Sequence, residues 1–317
     1  MLLEFNDDRT ECYISQPGAV EELLRRHNYW DSRPAHTPSQ SKPGYVCSDL
    51  DSPPPGPEGD DDRAYMRDKP FREVTGDLMW IARVHRHDIL HAVNACSRVA
   101  NNPGKAHWHA LCRIMRYLNY TRDYKLVYKR ATAPHVHSYS DSDWAPNYGT
   151  YFDNYRSTSG AMHFVDGNPI LWKSRRQDRV ALSSCEAEFY SGASASKDTV
   201  YIDRLTKSLR PDCDLNTDMP VLFMDNKSAI QSALNAQDNE KQRHIDLRSH
   251  YLRDTCTREE ISIQFVPGSM NPADAQTKAL GNTKFHQFRK QGNLRNMPVT
   301  TVTPKHVTFD LDRNIRR

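Results

Sequence analysis

The stretch His135–Gly149, HVHSYSDSDWAPNYG, decides the reading of the fold. From Val136 to Ser140 apolar and polar side chains alternate, the period of a half-buried strand. Asp141 and Asp143 follow at its end, just ahead of a turn-forming run. A carboxylate in that place is either a turn residue or one ligand of a site whose other ligands come from elsewhere in the chain.

Working outward toward the C-terminus, Gly160 to Val165 and Pro169 to Ser174 read as two more strands across a DGN turn, a hairpin signal. A helix is expected from Ser183 to about Leu209, with Ser183 as N-cap and a Glu three residues on. PVLFMD, Pro220 to Asp225, reads as a buried strand followed by the helix NKSAIQSAL. A further helix covers roughly Ile245 to Arg258, ISIQFVP is a strand, and NPADAQTKAL opens a last helix. The order β-β-β-α-β-α-α-β-α joins an antiparallel hairpin set to parallel α/β units.

Toward the N-terminus the pattern is helical. Gln16 to Asn28 carries Pro17 in its first turn, and Phe71 to Ala100 is long and periodic, with Asp88 expected to cap a second helix within it. Pro103 to Asn119 is another helix, running into a strand at YTRDYKLVYK. Between them, Ser39 to Asp62 is rich in Pro, Gly, Ser and Asp and reads as a mobile or extended linker, its GDDD being solvated acids. His85, His87 and His91 include an i, i+4 pair that suits a metal, but no fourth ligand stands nearby. The tail from Pro298 to Arg317 has no useful periodicity and is expected to be disordered.

Composition bounds the function without naming it. Across 317 residues, 37% are hydrophobic and 26% charged, which is polar for a globular chain but outside the disordered regime. A net charge of +3 is too small to argue for a nucleic-acid partner, so local clusters must carry that case. The seven scattered cysteines contain no C-x-x-C pair, which speaks against a zinc site and a disulfide framework. No leader and no membrane span is legible. An intracellular setting, cytoplasmic or nuclear, is expected, with no membrane partner.

Four segments place an acid at a special position. Asp141 ends the first strand and Asp225 ends PVLFMD, which should pair beside it. Ligands gather outside the carboxyl ends of strands where connections reverse. Glu186 and Glu188 lie in the first turns of the long helix, and Asp274 lies in the first turn of the last one. Alone, Asp225 reads equally well as an N-cap, Asp274 as a dipole-favoured helix acid, and either glutamate as surface. Together they would repel one another unless cations fill the cluster. Hard divalent ions with oxygen ligands, Mg²⁺ above all, suit it.

The segments YSDSDWA, RSTSGAMHFV, PILWKSRRQ, ALSSCEAEFYS, FMDNKSAI, RHIDLRSHYLRD and NPADAQTKAL occur in this order. They resemble the ribonuclease H domain at the end of copia-type retrotransposon polyproteins. The upstream YISQPGAVEELLRRHN and FREVTGDLMWIARVHRHDILHAVNACSRVANNPGKAHWHALCRIMRYL resemble the end of that family's reverse transcriptase and its connection to the nuclease. The resemblance covers roughly Ile14 to Arg289. It implies an α/β, ribonuclease H-like mixed five-stranded sheet flanked by helices, preceded by a mainly helical thumb and connection remnant. It also implies two Mg²⁺ ions, with Mn²⁺ as a substitute, and an RNA–DNA hybrid as substrate. Carried over motif by motif, the catalytic and metal-holding acids are Asp141, Glu188, Asp225 and Asp274. Glu186 is the lesser choice and Asp143 a neighbour. The histidine that cellular relatives carry after the last strand is replaced here by Ser269, and His244 belongs to another motif. The Pro146 to Tyr155 stretch is longer than the family's.

The polymerase's Tyr-x-Asp-Asp hairpin does not occur, so template copying would need the polymerase portion of a parent polyprotein as partner. Lys173, Arg175, Arg176 and Arg179 form the first candidate nucleic-acid contact, with Trp144 and Trp172 beside sugars, and Arg122, Lys125, Lys129 and Arg130 the second. The expected division is 1–38 reverse-transcriptase end, 39–62 linker, 63–133 helical connection, 134–291 ribonuclease H-like domain and 292–317 tail. The expected function is Mg²⁺-dependent endonucleolytic cleavage of the RNA strand of hybrids. The alternatives are a catalytically inactive nucleic-acid-binding remnant and a scaffold with no nucleic-acid role. Oligomeric state is not legible.

Overall fold

The computed structural model describes residues 1–41, 52–130, 135–144, 155–209, 218–234 and 247–297. Five strands and three helices set the frame of the C-terminal half. Strand β4 (Val136–Asp143) is its centre, and β5 (Thr158–Val165) and β6 (Asn168–Arg176) form the hairpin read from the DGN turn. Gly167 sits in that turn at φ 71, and Asp166 beside it at φ 51, the left-handed pair that closes a tight hairpin. Helix α6 (Ser184–Leu209) crosses to β7 (Val221–Met224). Helices α7 (Lys227–Leu234) and α8 (Leu247–Thr257) then lead to β8 (Ser262–Phe265). The sheet order is β6-β5-β4-β7-β8. β4 runs antiparallel to β5 and parallel to β7, and β7 parallel to β8. This is the ribonuclease H-like mixed five-stranded sheet flanked by helices.

Small side chains let α6 lie close to that sheet. Ser138 and Ser140 alternate inward on β4 and are buried, as are Gly192, Ala193, Ala195, Ser196 and Thr199 on the facing helix. Two of the buried hydroxyls pair across this contact: Thr199 Oγ1 donates to Ser138 Oγ at 2.8 Å, and His163 Nδ1 lies 2.8 Å from the same oxygen. The second core, with Phe189, Leu222, Met224, Ile230 and Leu252, fills the space among α6, β7, α7 and α8.

The N-terminal half is not only helical. Leu2–Phe5 (β1) and Glu11–Ser15 (β2) form a hairpin that was not read from the sequence. They join β3 (Tyr124–Lys129) and β9 (Leu294–Asn296) in a four-stranded antiparallel sheet of order β1-β2-β3-β9. Helices α1 (Pro17–Arg26), α3 (Phe71–Val84), α4 (Leu90–Arg98) and α5 (Lys105–Tyr120) complete this half. One core runs through both halves, from Leu24, Leu78, Ile81, Val93 and Leu118 to Met162, Phe164 and Trp172 on the β5–β6 hairpin.

Three boundaries move. Residues 52–62 are not an open linker: Pro57–Gly59 is a 3-10 turn and Asp60–Met66 is helix α2. Asp62 Oδ1 accepts from the Lys105 amide at 2.8 Å, and Asn102 Nδ2 donates to the Pro53 carbonyl at 2.9 Å. The GDDD acids therefore serve helix N-termini, where the positive end of the dipole favours them. Residues 42–51 of that stretch lie outside the described residues. So do His244, the tail from Pro298 onward, and the long loop except Tyr155. The last helix is broken in two: α9 is Asp274–Thr277, and α10 (Asn282–Gln291) starts afresh after Gly281. α10 and β9 return to the N-terminal half, with Phe285, Phe288 and Leu294 in its core, so residues 292–297 are sheet rather than tail.

Asp88 caps no helix; it pairs with Arg86 between α3 and α4. The three histidines have separate partners and form no metal triad. His85 Nδ1 lies 3.0 Å from Gln16 Oε1, His87 Nε2 donates to the Gly292 carbonyl at 2.9 Å, and His91 bonds the Thr277 backbone. Burial pushes His85 and His91 down to about 3. Their unfolded rings titrate near 6.5, so below that pH the unfolded chain binds protons that the folded chain refuses. Each ring then removes about 1.4 kcal/mol of stability per pH unit as the pH falls from roughly 6.5 toward its folded value. Ring-nitrogen NMR should find both imidazoles neutral at pH 5. Titration of either above that pH would show the ring is not closed off as described.

Candidate metal centre

The carboxyl ends of the two central parallel strands meet the first turns of α6. Asp141, near the end of β4, is 2% exposed and Glu188 is 6% exposed. Asp225 directly follows β7. One ligand oxygen from each of Asp141, Glu188 and Asp225 lies within 4.8 Å of the others. Asp274, at the start of α9, is also buried and is an electrostatic neighbour of Asp141.

The two glutamates take different sides of the helix. Glu188 Oε1 accepts from the Ser142 amide and from Ser142 Oγ, both at 3.0 Å, across the end of β4. Its other oxygen, Oε2, is buried without a hydrogen-bond partner. Glu186 works as a cap instead: its amide donates to Ser183 Oγ at 3.1 Å, and its carboxylate accepts from the Leu182 amide and from Tyr190 Oη. Asp225 is not the N-cap of α7. That role belongs to Asn226, whose Oδ1 accepts from the Ala229 amide at 3.0 Å.

Electrostatics mark the cluster as only partly compensated. Burial, with the neighbouring Asp274 and Asp225 charges, pushes the Asp141 carboxyl well above the usual range against the pull of Lys278. Burial and then Asp141 and Asp225 do the same to Glu188, and burial and Asp274 raise Asp225. Asp274 goes the other way because two lysines hold it. Lys278 Nζ lies 2.7 Å from Asp274 Oδ1 and 3.9 Å from Asp141 Oδ2, and Lys284 Nζ pairs with Asp274 Oδ2. Neither lysine was singled out in the sequence, although the i, i+4 spacing of Asp274 and Lys278 is a visible signal.

Close packing holds α9 in place. Asn271 Nδ2 donates to the Ser140 carbonyl at 2.9 Å, Thr277 Oγ1 donates to Asp141 Oδ2, and Gln276 Nε2 donates to the His87 carbonyl at 3.1 Å. Gly160, the register partner of Asp141, leaves the room: a Cβ there would stand 2.6 Å from Thr277 Cγ2 and 2.8 Å from the Ala273 carbonyl. The donor set fits a hard divalent cation. It is all carboxylate oxygen, and a buried, unpartnered Glu188 oxygen faces carboxylates whose repulsion a cation would relieve.

The basic residues divide. Arg175, Arg176 and Arg179 line one cleft of about 220 Å³ with Tyr190 and Lys197, beside the first turns of α6. Arg175 pairs with Ser159, which pairs with Ser142. The cleft therefore opens about 10 Å from the end of β4, two strand spacings away. Lys173 is held by both oxygens of Asp198 at 2.7 Å. Trp172 is buried, donating to the Ala82 carbonyl, so it flanks no sugar. Trp144 is about half exposed and donates to the Ala181 carbonyl. The second basic stretch lies on the other sheet, where Lys125 pairs with Glu4, Lys129 faces Glu11 at 4.0 Å and Arg122 stacks on Trp30.

This sheet order, with acids at the ends of β4 and β7 and on α6, defines a ribonuclease H-type module. No protein-family model matches the chain. It is 31% identical over 275 residues to the retrovirus-related Pol polyprotein from transposon TNT 1-94 of Nicotiana tabacum, covering 87% of this chain and 20% of that one. It is 29% identical over 293 residues to the Pol polyprotein from transposon RE2 of Arabidopsis thaliana, covering 90% and 18%. It is also 35% identical over 142 residues to secreted RxLR effector protein 161 of Plasmopara viticola, covering 45% of this chain and 97% of that protein. The N-terminal RNase H domain of Rv2228c from Mycobacterium tuberculosis aligns at 12% identity and a TM-score of 0.32, over 50% of this chain and 98% of that one. At that score the likeness adds nothing to the topology already described. The chain belongs to the copia-type retrotransposon Pol polyproteins, and it spans about a fifth of the length of the polyprotein relatives it matches.

Proposed function

We propose that this chain cleaves the RNA strand of RNA–DNA hybrids endonucleolytically, with Asp141, Glu188, Asp225 and Asp274 holding two Mg²⁺ ions, for which Mn²⁺ substitutes. The observation that carries the reading is the buried set of Asp141, Glu188 and Asp225, with Glu188 Oε2 left unpartnered. Bound divalent ions supply an activated water and stabilise the leaving oxygen of a phosphodiester. The chain's own residues do the rest. Ser142 fixes the Glu188 carboxylate in one orientation, and Thr277 does so for Asp141. The cleft of Arg175, Arg176 and Arg179 positions backbone phosphates, with Lys173 at its margin. Choice of the RNA strand rests on its 2′-hydroxyls and on duplex shape. In this role the chain works beside the polymerase portion of the polyprotein.

A second reading, a nucleic-acid-binding remnant without turnover, draws on Asp274, whose two oxygens are held by Lys278 and Lys284. A labelled hybrid incubated with the full chain and Mg²⁺ separates the two. Internal cuts in the RNA strand that stop on chelation support the nuclease. Salt-dependent binding with no cut supports the remnant.

A further inference from the structure

We propose that Lys278, backed by Lys284, is the resident counter-charge of this site and stands where a second divalent cation would bind until that cation displaces it. The inference rests on the metal reading above and concerns the order and number of ions rather than their presence.

The four carboxylates divide by what they already touch. Asp141, Glu188 and Asp225 bring one oxygen each within 4.8 Å of the others, so one cation fits among them with nothing displaced. Asp274 is different. Its Oδ1 lies 2.7 Å from Lys278 Nζ and its Oδ2 pairs with Lys284 Nζ. Lys278 also reaches toward the site, 3.9 Å from Asp141 Oδ2. The Lys278 ammonium therefore bridges Asp141 and Asp274, the pair that a second cation would share.

The geometry explains how the lysine can serve and leave. Lys278 follows the single turn of α9 and extends the backbone at φ −146, ψ 162. Its side chain is 39% exposed, and Lys284, on the next helix, is 37% exposed. Both are flexible point charges that can swing into water. The carboxylates they face are fixed: Asp141 and Asp274 are 2% and 1% exposed. Rigid acids with mobile cations form a site whose charge can be exchanged without moving the backbone. A divalent ion carries twice the charge of an ammonium, so it wins when its concentration is sufficient.

The test is Mn²⁺ binding to the full chain, by titration calorimetry and electron paramagnetic resonance, for the parent, Lys278→Gln and Lys278→Arg. The parent should bind one ion tightly and a second weakly. Lys278→Gln should tighten the second ion on the order of tenfold or more by removing its competitor, and leave the first less changed. In chelator, Lys278→Gln should melt below the parent and regain that loss when Mn²⁺ is added. Lys278→Arg, which keeps the charge, should behave as the parent. If Lys278→Gln does not fold, Lys284→Gln should shift the same two readouts in the same direction by less. An unchanged second affinity, or a melting loss that Mn²⁺ does not restore, makes the lysine a structural strut and overturns the inference while the first ion still binds. Absence of any bound ion in the parent removes the metal reading, and the inference with it.

Discussion

Asp225→Asn is expected to abolish hybrid cleavage while leaving the fold and hybrid affinity in place. The substitution keeps the shape of the side chain and removes one negative charge from the cluster. Asp225 is not needed to start α7, because Asn226 caps that helix, so no cap is lost. Its carboxyl is raised by burial and by Asp274, so a neutral amide relieves repulsion, and the melting temperature in chelator should hold or rise slightly. The backbone at Gly268 closes over the carboxylate, with room for no Cβ: one would stand 2.9 Å from Asp225 Oδ2. A side chain so confined keeps its place when it becomes an amide. Losses at charge-stabilising positions are on the order of 10²–10³ in rate or more. Parent and variant should be compared by single-turnover cleavage, with melting in chelator and hybrid binding alongside. Cleavage by the variant near the parent rate would take Asp225 out of the site, and most of the two-ion reading with it.

Asp88→Ala should be among the most destabilising single changes in the chain. Arg86 and Asp88 are each 1% exposed at the side chain and pair in a fork, Nε to Oδ1 and Nη2 to Oδ2, both at 2.9 Å. Tyr117 Oη donates to Asp88 Oδ2 at 2.5 Å, and Arg289 from α10 donates to Tyr117 Oη at 3.1 Å. Burial alone would raise the Asp88 carboxyl, but Arg86 and Tyr117 hold it down at about 2. That stability is present above the unfolded value near 3.9 and is lost as pH falls through the folded one. Removing the acid leaves a guanidinium buried without its counter-ion, which costs about 3–5 kcal/mol. Replacing both partners by apolar residues, Arg86→Met with Asp88→Leu, should cost much less, since neither charge then needs solvation. Chemical denaturation of the two variants checks this. Equal losses would mean that shape rather than charge dominates the site.

Legibility followed the distance over which each feature is decided. The alternation around Ser138 and Ser140, the DGN turn and the Ser183 cap are local, and the observed strands and helix start within a residue or two of their expected places. The long apolar pattern from Phe71 also held, as α3 and α4. Glu186 and Glu188 could not be separated from the residues alone. Two positions on a helix differ by about 200° around its axis, and only packing says which side faces the sheet. Asp88 was read as a cap because its partner in the fork is two residues away in a bend that breaks the helix earlier than expected. The hairpin of β1 and β2 was missed because its stability depends on β3, more than a hundred residues later in the chain. β9 has three residues, too few to show any period, and pairs with β3 only after the whole nuclease module has intervened.

By itself the sequence determined the order of elements and the residue types at their ends. Those follow from rules that act within a few residues: turn chemistry, capping and the period of burial. The tertiary structure alone decided which acids share one volume. Convergence of Asp141, Glu188 and Asp225 requires β4 and β7 to pair in parallel and α6 to settle on their small residues, a contact between segments more than eighty positions apart. It also decided that Asp274 is neutralised by Lys278 and Lys284, because α9 ends after one turn and α10 turns back beside it. Charges act through space, so their balance is settled by the packing that brings them together.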